Sequence, residues 1–375
     1  MRIVVVGGGV LGTMHAWEAV ARGHEVVHLE REAEARGASV RNFGLVWIGG
    51  RAVGAELRTA VRARELWERI GADVPGVGFR PAGSLTVCRN AEEVAVAEAA
   101  LTLPDAGERG FKVLSTAEAR TLNPALRGTF EAALWCANDG AVESRIALPA
   151  LRARLAATGR YTWLPGREVR GLTADGTGVR DDHGTEHRGD AVFLCPGANL
   201  AGLVRELEPE IPVRRVRLQM MQTDPLDEPL TTAVADGDSF RYYPAYASPA
   251  LDTLAAAHPQ GPVPAAHKMQ LLMVQRLDGS LTIGDTHEYA EPFAFDVVHD
   301  PYDHLVEVAE DLLGRPLPTV RRRWAGVYAQ TTPAGDPIVH RREVAPGTWL
   351  VTGPGGRGMT CSPAIAEETA DRAGL

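Results

Sequence analysis

An excess of positive charge is the first thing this sequence lacks. Its 375 residues carry a formal net charge of −9, which gives no general attraction to phosphate backbones or anionic lipid and makes nucleic acid and membrane surfaces poor partners. Long apolar runs are missing too. The N-terminal run from Ile3 to Val6 meets glycine at once, so it is too short for a membrane span or signal peptide and reads as a strand. The four cysteines, Cys88, Cys136, Cys195 and Cys361, have neither the short paired spacing of a zinc site nor the density of a secreted disulfide scaffold. No metal site is predicted, and a reduced cytoplasmic interior fits best. What remains is an ordinary globular composition, 45% hydrophobic and 23% charged, which argues against disorder. The length has room for two lobes and requires no partner copy to fold.

Residues 3–6 read as a buried parallel strand, 11–22 as a helix ended by Gly23, and 25–30 as a second strand, a compact βαβ opening. A long glycine-containing stretch at 31–50 precedes a helix at 54–71, and a stretch of that length inside a compact domain is usually functional. Strands are predicted at 84–88, 132–136 and 191–195, and helices at 91–101 and 146–157. Further on, 214–223, 268–276 and 280–284 read as an antiparallel sheet with a hairpin turn at Asp278-Gly279. The Pro- and Ala-rich segment 250–266 reads as a surface excursion. The chain closes as a strand at 348–352, a glycine-rich loop at 353–358 and a helix at 362–373.

Gly7, Gly9 and Gly12 stand at the first, third and sixth positions of a glycine motif between the first strand and helix. Gly7 permits the turn, Gly9 lets backbone approach a pyrophosphate, and Gly12 lets helix and strand pack closely, with Val10 and Leu11 at the helix N-terminus that faces the phosphates. Glu30, at the end of the second strand and followed by Arg31, is placed to accept both hydroxyls of an unphosphorylated ribose. This unit predicts a dinucleotide and by itself leaves FAD and NAD open.

Other segments separate the two. Residues 37–44, which include Ser39, Arg41 and Asn42, resemble the loop after the second strand in the FAD-dependent amino-acid and amine oxidases, the family of D-amino-acid, glycine and sarcosine oxidases. Residues 353–360, with Gly355, Gly356, Arg357, Gly358, Met359 and Thr360, resemble that family's closing loop against the isoalloxazine. Only seventeen residues follow Gly358, too few for a second βαβ unit. Val169 stands where the family's strand backbone meets adenine. The run 191–198 with Gly197 resembles the strand and turn beneath FAD, and 276–284 resembles the substrate-domain hairpin. The resemblance implies an α/β, two-domain, D-amino-acid oxidase-like fold, with a Rossmann-like FAD-binding domain (1–80, 140–210 and 320–375) and a substrate domain on a mixed or antiparallel sheet (81–139 and 211–319). It also implies hydride transfer from a small amine to the flavin, hydrolysis of the resulting imine, and reoxidation by oxygen or another acceptor. The chemistry then resides in the flavin, so no catalytic side chain is assigned.

The departures bear on the substrate. Residues 324–328 resemble a motif in which glycine and D-amino-acid oxidases place a carboxylate-clamping arginine, and Tyr328 stands there instead. A tyrosine donates one hydrogen bond and carries no charge, which weakens simple α-amino-acid recognition. The family's flavin-linking cysteine is absent from the same stretch, implying noncovalent FAD. Arg357 is the first candidate anchor for an anionic substrate. Tyr242 and Tyr243, with Arg241 and Lys268, are placed on the substrate sheet as further donors, and Gln330 as a polar partner; His267 and His287 read as structural or surface groups. The pattern resembles the branch of the family associated with aminophosphonate catabolism, with sarcosine or glycine as the alternative substrate. An NAD-dependent dehydrogenase would require the closing loop to be incidental. A nonenzymatic flavin-binding protein would require an interaction patch or charged tail, and the sequence shows neither.

Overall fold

The computed structural model describes all 375 residues. Two sheets organise the chain. The first has six strands in the order His340–Ala345, Thr348–Thr352, Ala191–Leu194, Arg2–Val6, Glu25–Glu30, Tyr161–Pro165. It is parallel except where His340–Ala345 runs against Thr348–Thr352. Its central strands are near-continuous apolar runs because helices cover the sheet, and Ile3, Val4 and Val5 are wholly buried. Val10–Ala21 packs on Gly358–Arg372, which packs in turn on Ala55–Asp73. A three-stranded antiparallel sheet, Val169–Leu172, Gly178–Asp181 and Glu186–Arg188, is a separate small layer.

The second sheet has eight strands in the order Val320–Thr331, Val213–Pro225, Ser280–Gly284, Leu272–Gln275, Ala233–Ala235, Ser84–Cys88, Ala132–Cys136, Phe111–Ser115. All neighbours are antiparallel except Ala233–Ala235 with Ser84–Cys88. The amphipathic helix Asp300–Leu313 covers one face, burying Tyr302, Leu305, Ala309 and Leu312 against Leu85, Met221 and Ile283.

Three features differ from the sequence reading. Val320–Thr331, grouped by sequence with the nucleotide lobe, pairs along Val213–Pro225 from Val213–Thr331 to Thr223–Val320, so its hydrogen bonds place it in the eight-stranded sheet. The segment 250–266 does run over the surface, but as two helices, Pro249–Ala257 and Pro262–His267. The Ser248 hydroxyl accepts from the Leu251 amide at 3.3 Å, proline stands in the first turn, and Leu254 is buried beside Val96 and Phe240; that Ser-Pro start is a helix signal outweighed in the sequence by the Pro and Ala content. Arg241-Tyr242-Tyr243 is not on the sheet: the short helix Asp238–Tyr242 carries the first two and Tyr243 caps its end, and the hairpin strand begins at Leu272 rather than Lys268.

Candidate active site

The glycine turn explains itself sterically. Gly7 has φ +103°, and a Cβ there would lie 2.2 Å from the Cys195 carbonyl oxygen; a Cβ on Gly12 would lie 1.9 Å from the Gly7 carbonyl oxygen. Strand and helix therefore touch backbone to backbone, which aims the helix N-terminus along the ends of the strands. His28 sits under this turn, its Nε2 2.9 Å from the Gly7 oxygen and its Nδ1 2.9 Å from the Tyr161 hydroxyl. Burial lowers its pKa to about 3, so it stays neutral. Glu30 is oriented by two backbone amides, Gly8 N–H at 2.6 Å and Glu32 N–H at 3.0 Å.

These groups open onto a cavity of about 1140 Å³ whose lining draws on both large sheets. That exceeds the usual size of a pocket for one drug-sized molecule, about 300–1,000 Å³, and matches an extended dinucleotide with a small substrate beside it. Gly7, Gly9, Val10, Leu11, Glu30, Arg31, Ser39, Arg41, Asn42, Val169, Gly197, Gly355, Gly356, Arg357, Gly358 and Met359 all line it. Several of their side chains are already engaged with the protein. Ser39 Oγ accepts from the Val10 amide at 2.9 Å, Arg41 donates to the Arg36 and Ala325 carbonyls, and Asn42 spans Ala38, Ser39 and Gly44. They brace the loop as well as bordering the space. Gly12 and Thr360 do not reach the cavity: Gly12 is the packing contact just described, and Thr360 Oγ1 is taken by the Trp47 amide at 2.9 Å and the Leu45 carbonyl at 3.2 Å. Replacing Glu30 with glutamine turns one acceptor into an amide that confronts backbone N–H. Loss of charge-assisted hydrogen bonds worth about 1.5–3 kcal/mol is expected to weaken FAD binding roughly 10- to 100-fold, measured by fluorescence titration of the apoprotein.

At the eight-stranded sheet the lining includes Tyr242, Tyr243, Tyr328 and Gln330. Tyr328 is 7% exposed, and its hydroxyl has no hydrogen-bond partner. Gln330 lends its side-chain oxygen to Arg214 Nε at 3.1 Å, and its backbone bridges to Pro354. Lys268 is not in the lining. It follows the helix Pro262–His267 with φ 48°, and its Nζ sits 4.5 Å above the Tyr289 ring. His287 is no surface group: it is buried, lines the cavity and stacks on Tyr242 at 4.2 Å.

Sequence reasoning named Arg357 but passed over its partners Arg51 and Glu56, and it passed over Asp285 and Gln270 in a second cluster of this wall. The first cluster is Arg51, Glu56 and Arg357, all lining the cavity. Arg357 NH1 donates to Glu56 at 3.0 Å and its Nε to the Pro354 carbonyl at 2.9 Å. Arg51 stands 3.7 Å from the other Glu56 oxygen and is held by the Trp47 carbonyl and Thr360 Oγ1. Two guanidiniums share one carboxylate, so the group is net positive in a place where water is scarce. The other cluster is Asp285, Gln270, His287 and Tyr289. Burial pushes Asp285 up to about 8 and His287 down to about 4. Arg51 was readable only as the residue just past a functional-looking loop, and Asp285 only as a carboxyl just past a strand end.

The backbone that carries Trp47 and Arg51 is held from two sides. The amides of Ile48 and Gly49 donate to buried Asp139 at 2.5 and 3.0 Å, and their carbonyls accept from wholly buried Arg109 at 3.3 and 2.7 Å. Arg109 is bound through both Nε and NH2 to Asp105, each at 3.0 Å. All four cysteines are free and buried, no group of three or more His, Cys, Asp or Glu side chains is arranged to hold a metal ion, and no helix is long and apolar enough to cross a membrane.

A dinucleotide turn joined to a second, substrate-facing sheet over one long cavity is the arrangement of a two-lobed flavoenzyme. The chain belongs to the FAD dependent oxidoreductase family, whose model matches residues 2–372, and its cofactor is FAD. It is similar to glycine oxidase from Pseudomonas aeruginosa, 28% identical over 391 aligned residues that span 99% of this chain and 94% of that one. Among solved structures it shares its fold with glycine oxidase from Geobacillus kaustophilus (TM-score 0.78, 20% identity, 100% of this chain and 95% of that one). It does so equally with L-proline dehydrogenase from P. horikoshii (TM-score 0.78, 23% identity, 99% and 92%).

Proposed function

We propose that this flavoenzyme oxidises a small amine that carries an anionic group, with an aminophosphonate such as a 2-aminoethylphosphonate derivative as the substrate class. The reaction is oxidative deamination or N-demethylation, completed by hydrolysis of the imine, with oxygen or another acceptor taking the electrons. The observation that carries the anionic group is the Arg51–Glu56–Arg357 cluster in the cavity wall, joined to the presence of Tyr328 where a planar arginine clamp is absent. A phosphonate dianion is matched by donors spread over several side chains, whereas a single carboxylate is best held by one guanidinium fork.

FAD, when bound, accepts the hydride equivalent from the carbon next to nitrogen. The residues that would hold it are the glycine turn with Val10 and Leu11, Glu30 at the ribose, Val169 at the adenine, and the closing loop 355–358, which presents backbone amides to the ring end. The rest of the cavity wall binds and orients. Arg51 and Arg357 take the anion, the half-buried Tyr242 and Tyr243 and the buried Tyr328 exclude water, and Trp47 backs Tyr243 at 5.5 Å between ring centroids. Because no cysteine sulfur other than that of Cys195 belongs to a cavity-lining residue, and burial raises the Cys195 thiol, the flavin is held noncovalently in this reading.

The likeness to a glycine oxidase supports a second reading, a sarcosine- or glycine-type oxidase. Anaerobic titration of the flavin bands with N-methyl-2-aminoethylphosphonate, 2-aminoethylphosphonate, sarcosine and glycine separates the two. The expected result is fastest bleaching by an aminophosphonate; bleaching by sarcosine or glycine alone would transfer the assignment to the second reading. In the Arg51→Gln variant, loss of a charge-assisted contact worth about 1.5–3 kcal/mol is expected to raise KM for the aminophosphonate roughly 10- to 100-fold.

A further inference from the structure

Hydride loss from the carbon beside nitrogen requires the nitrogen lone pair, yet a small alkylamine is an ammonium ion at neutral pH. A proton must therefore leave the substrate, and the mechanism above names no acceptor.

The cavity contains one buried carboxyl group outside the arginine cluster. Asp285 is 5% exposed, follows directly on the strand Ser280–Gly284, and lines the same space as Tyr242 and Tyr328. Its Oδ1 has no hydrogen-bond partner, and neither has the side-chain oxygen of Gln270 or the hydroxyl of Tyr328, both in the same lining. The Gln270 amide stands near Asp285 and the Tyr242 hydroxyl near Tyr328, but Asp285 Oδ1 and the Gln270 oxygen still lack a donor at hydrogen-bonding geometry, and two such buried acceptors beside an unpartnered hydroxyl mark a place where N–H groups are missing, because such oxygens are costly to bury alone. A cationic amine supplies those donors.

The surroundings contain no competing cation close enough to pair. The elements packed here present the hydroxyls of Tyr242, Tyr243, Tyr289 and Tyr328, and His287. Lys268 and Arg214 lie over Tyr289, at 4.5 and 4.4 Å from its ring centroid. His287 Nδ1 is 3.0 Å from the Lys268 carbonyl, so it carries the ring hydrogen, and Nε2 turns its lone pair toward Asp285 Oδ2 at 3.9 Å.

We propose that Asp285 is a catalytic residue that receives the substrate's ammonium group and takes its proton, with Gln270 and Tyr328 fixing the nitrogen. This rests on the amine-oxidising reading of the same cavity. In the step, one N–H bond of the ammonium breaks, its electron pair remains on nitrogen as the lone pair, and an O–H bond forms at Asp285. Carboxylate plus ammonium becomes carboxylic acid plus amine, so net charge in the cavity does not change. The anion stays on Arg51 and Arg357, and the two ends of the substrate are read by opposite charges.

Burial raises Asp285 to about 8, so in the ligand-free cavity it is a neutral acid at pH 7. A bound ammonium stabilises the carboxylate and lowers that value, which means binding expels a proton to solvent. Holoenzyme titrated at pH 7 with (2-amino-2-methylpropyl)phosphonate, which has no hydrogen on the carbon bearing nitrogen and is not oxidised, is expected to release about one proton more than the Asp285→Asn variant. Calorimetry in buffers of different ionisation enthalpy reads this difference. In the wild-type protein alone the excess release is expected to vanish at pH 9, above the Asp285 titration, so the result does not depend on the variant folding well.

With an oxidisable amine under anaerobic conditions, Asp285→Asn is expected to slow bleaching at pH 7 by roughly 100-fold or more. The wild-type bimolecular rate constant is bell-shaped in pH, rising through Asp285 and falling through the substrate's own amine; the variant retains only a rise with the neutral amine, and Asp285→Glu restores the falling limb. Equal proton release by wild type and variant, or an unchanged pH profile in Asp285→Asn, would overturn the assignment and leave the amine reading intact. If no amine bleaches the wild-type flavin, the amine reading falls and the role of Asp285 falls with it.

Discussion

Replacing Gly12 by alanine is expected to give a protein that retains no FAD. The added Cβ would stand 1.9 Å from the Gly7 carbonyl oxygen, and the neighbour is backbone rather than the end of a flexible side chain. Gly7 is itself held by its amide on the Leu29 carbonyl at 2.8 Å and by His28 on its oxygen, so it has nowhere to retreat. The helix must move away from the strand, and with it the amides of the glycine turn leave the cavity. Overpacking of this kind costs about 1–3 kcal/mol where side chains adapt; with backbone as the obstacle the cost is expected at or above the upper end. Purified Gly12→Ala protein should be colourless after FAD reconstitution and should unfold at a lower temperature. A yellow variant with wild-type stability would show that the turn has slack that the contact distances deny.

The second large effect is expected far from the nucleotide. Arg109→Met removes a wholly buried guanidinium that holds Asp105 and the Ile48 and Gly49 carbonyls. Breaking one partner of a buried ion pair costs about 3–5 kcal/mol because the other charge remains uncompensated, and here two backbone acceptors are stranded as well. The urea midpoint should drop accordingly, and KM for the proposed anionic substrate should rise, since the same backbone carries Arg51. Removing both charges in Arg109→Met with Asp105→Leu should recover part of the stability, because an apolar pair carries no stranded ion, but not the KM. Full recovery of both would show that Arg109 contributes charge balance alone.

These two sites differ in how visible they are along the chain. Gly12 belongs to a local motif whose whole geometry lies within residues 7–12, so spacing alone exposes it. The strands at 84–88, 132–136 and 348–352 and the helix at 91–101 are legible for the same reason: each has its periodicity and its stops within a short window. Arg109 looks like an ordinary surface arginine in a short polar helix, and only the fold brings Ile48 and Gly49 to it across sixty residues. Val320–Thr331 has a charged, half-exposed N-terminal half, and its place in the larger sheet is set by its partner Val213–Pro225 rather than by its own pattern. Lys268 stands beside a true strand, yet the helix before it turns it outward onto Tyr289.

What the sequence by itself determined is the family and its FAD cofactor, together with the candidate frame for it: the glycine turn, the acid at the end of the second strand and the closing glycine loop. Those parts are written locally because a tight turn and a helix N-terminus are built from neighbours in the chain. What only the tertiary structure decided is the make-up of the candidate substrate wall. Arg51, Glu56 and Arg357 come from a loop, a helix start and the closing loop, while Asp285 comes from the segment just past the strand Ser280–Gly284 and Tyr328 from the strand Val320–Thr331. Charge pairing and burial depend on distances in space, and no spacing along the chain encodes them; it is packing that leaves two guanidiniums on one carboxylate and an unpaired carboxyl oxygen facing the same cavity.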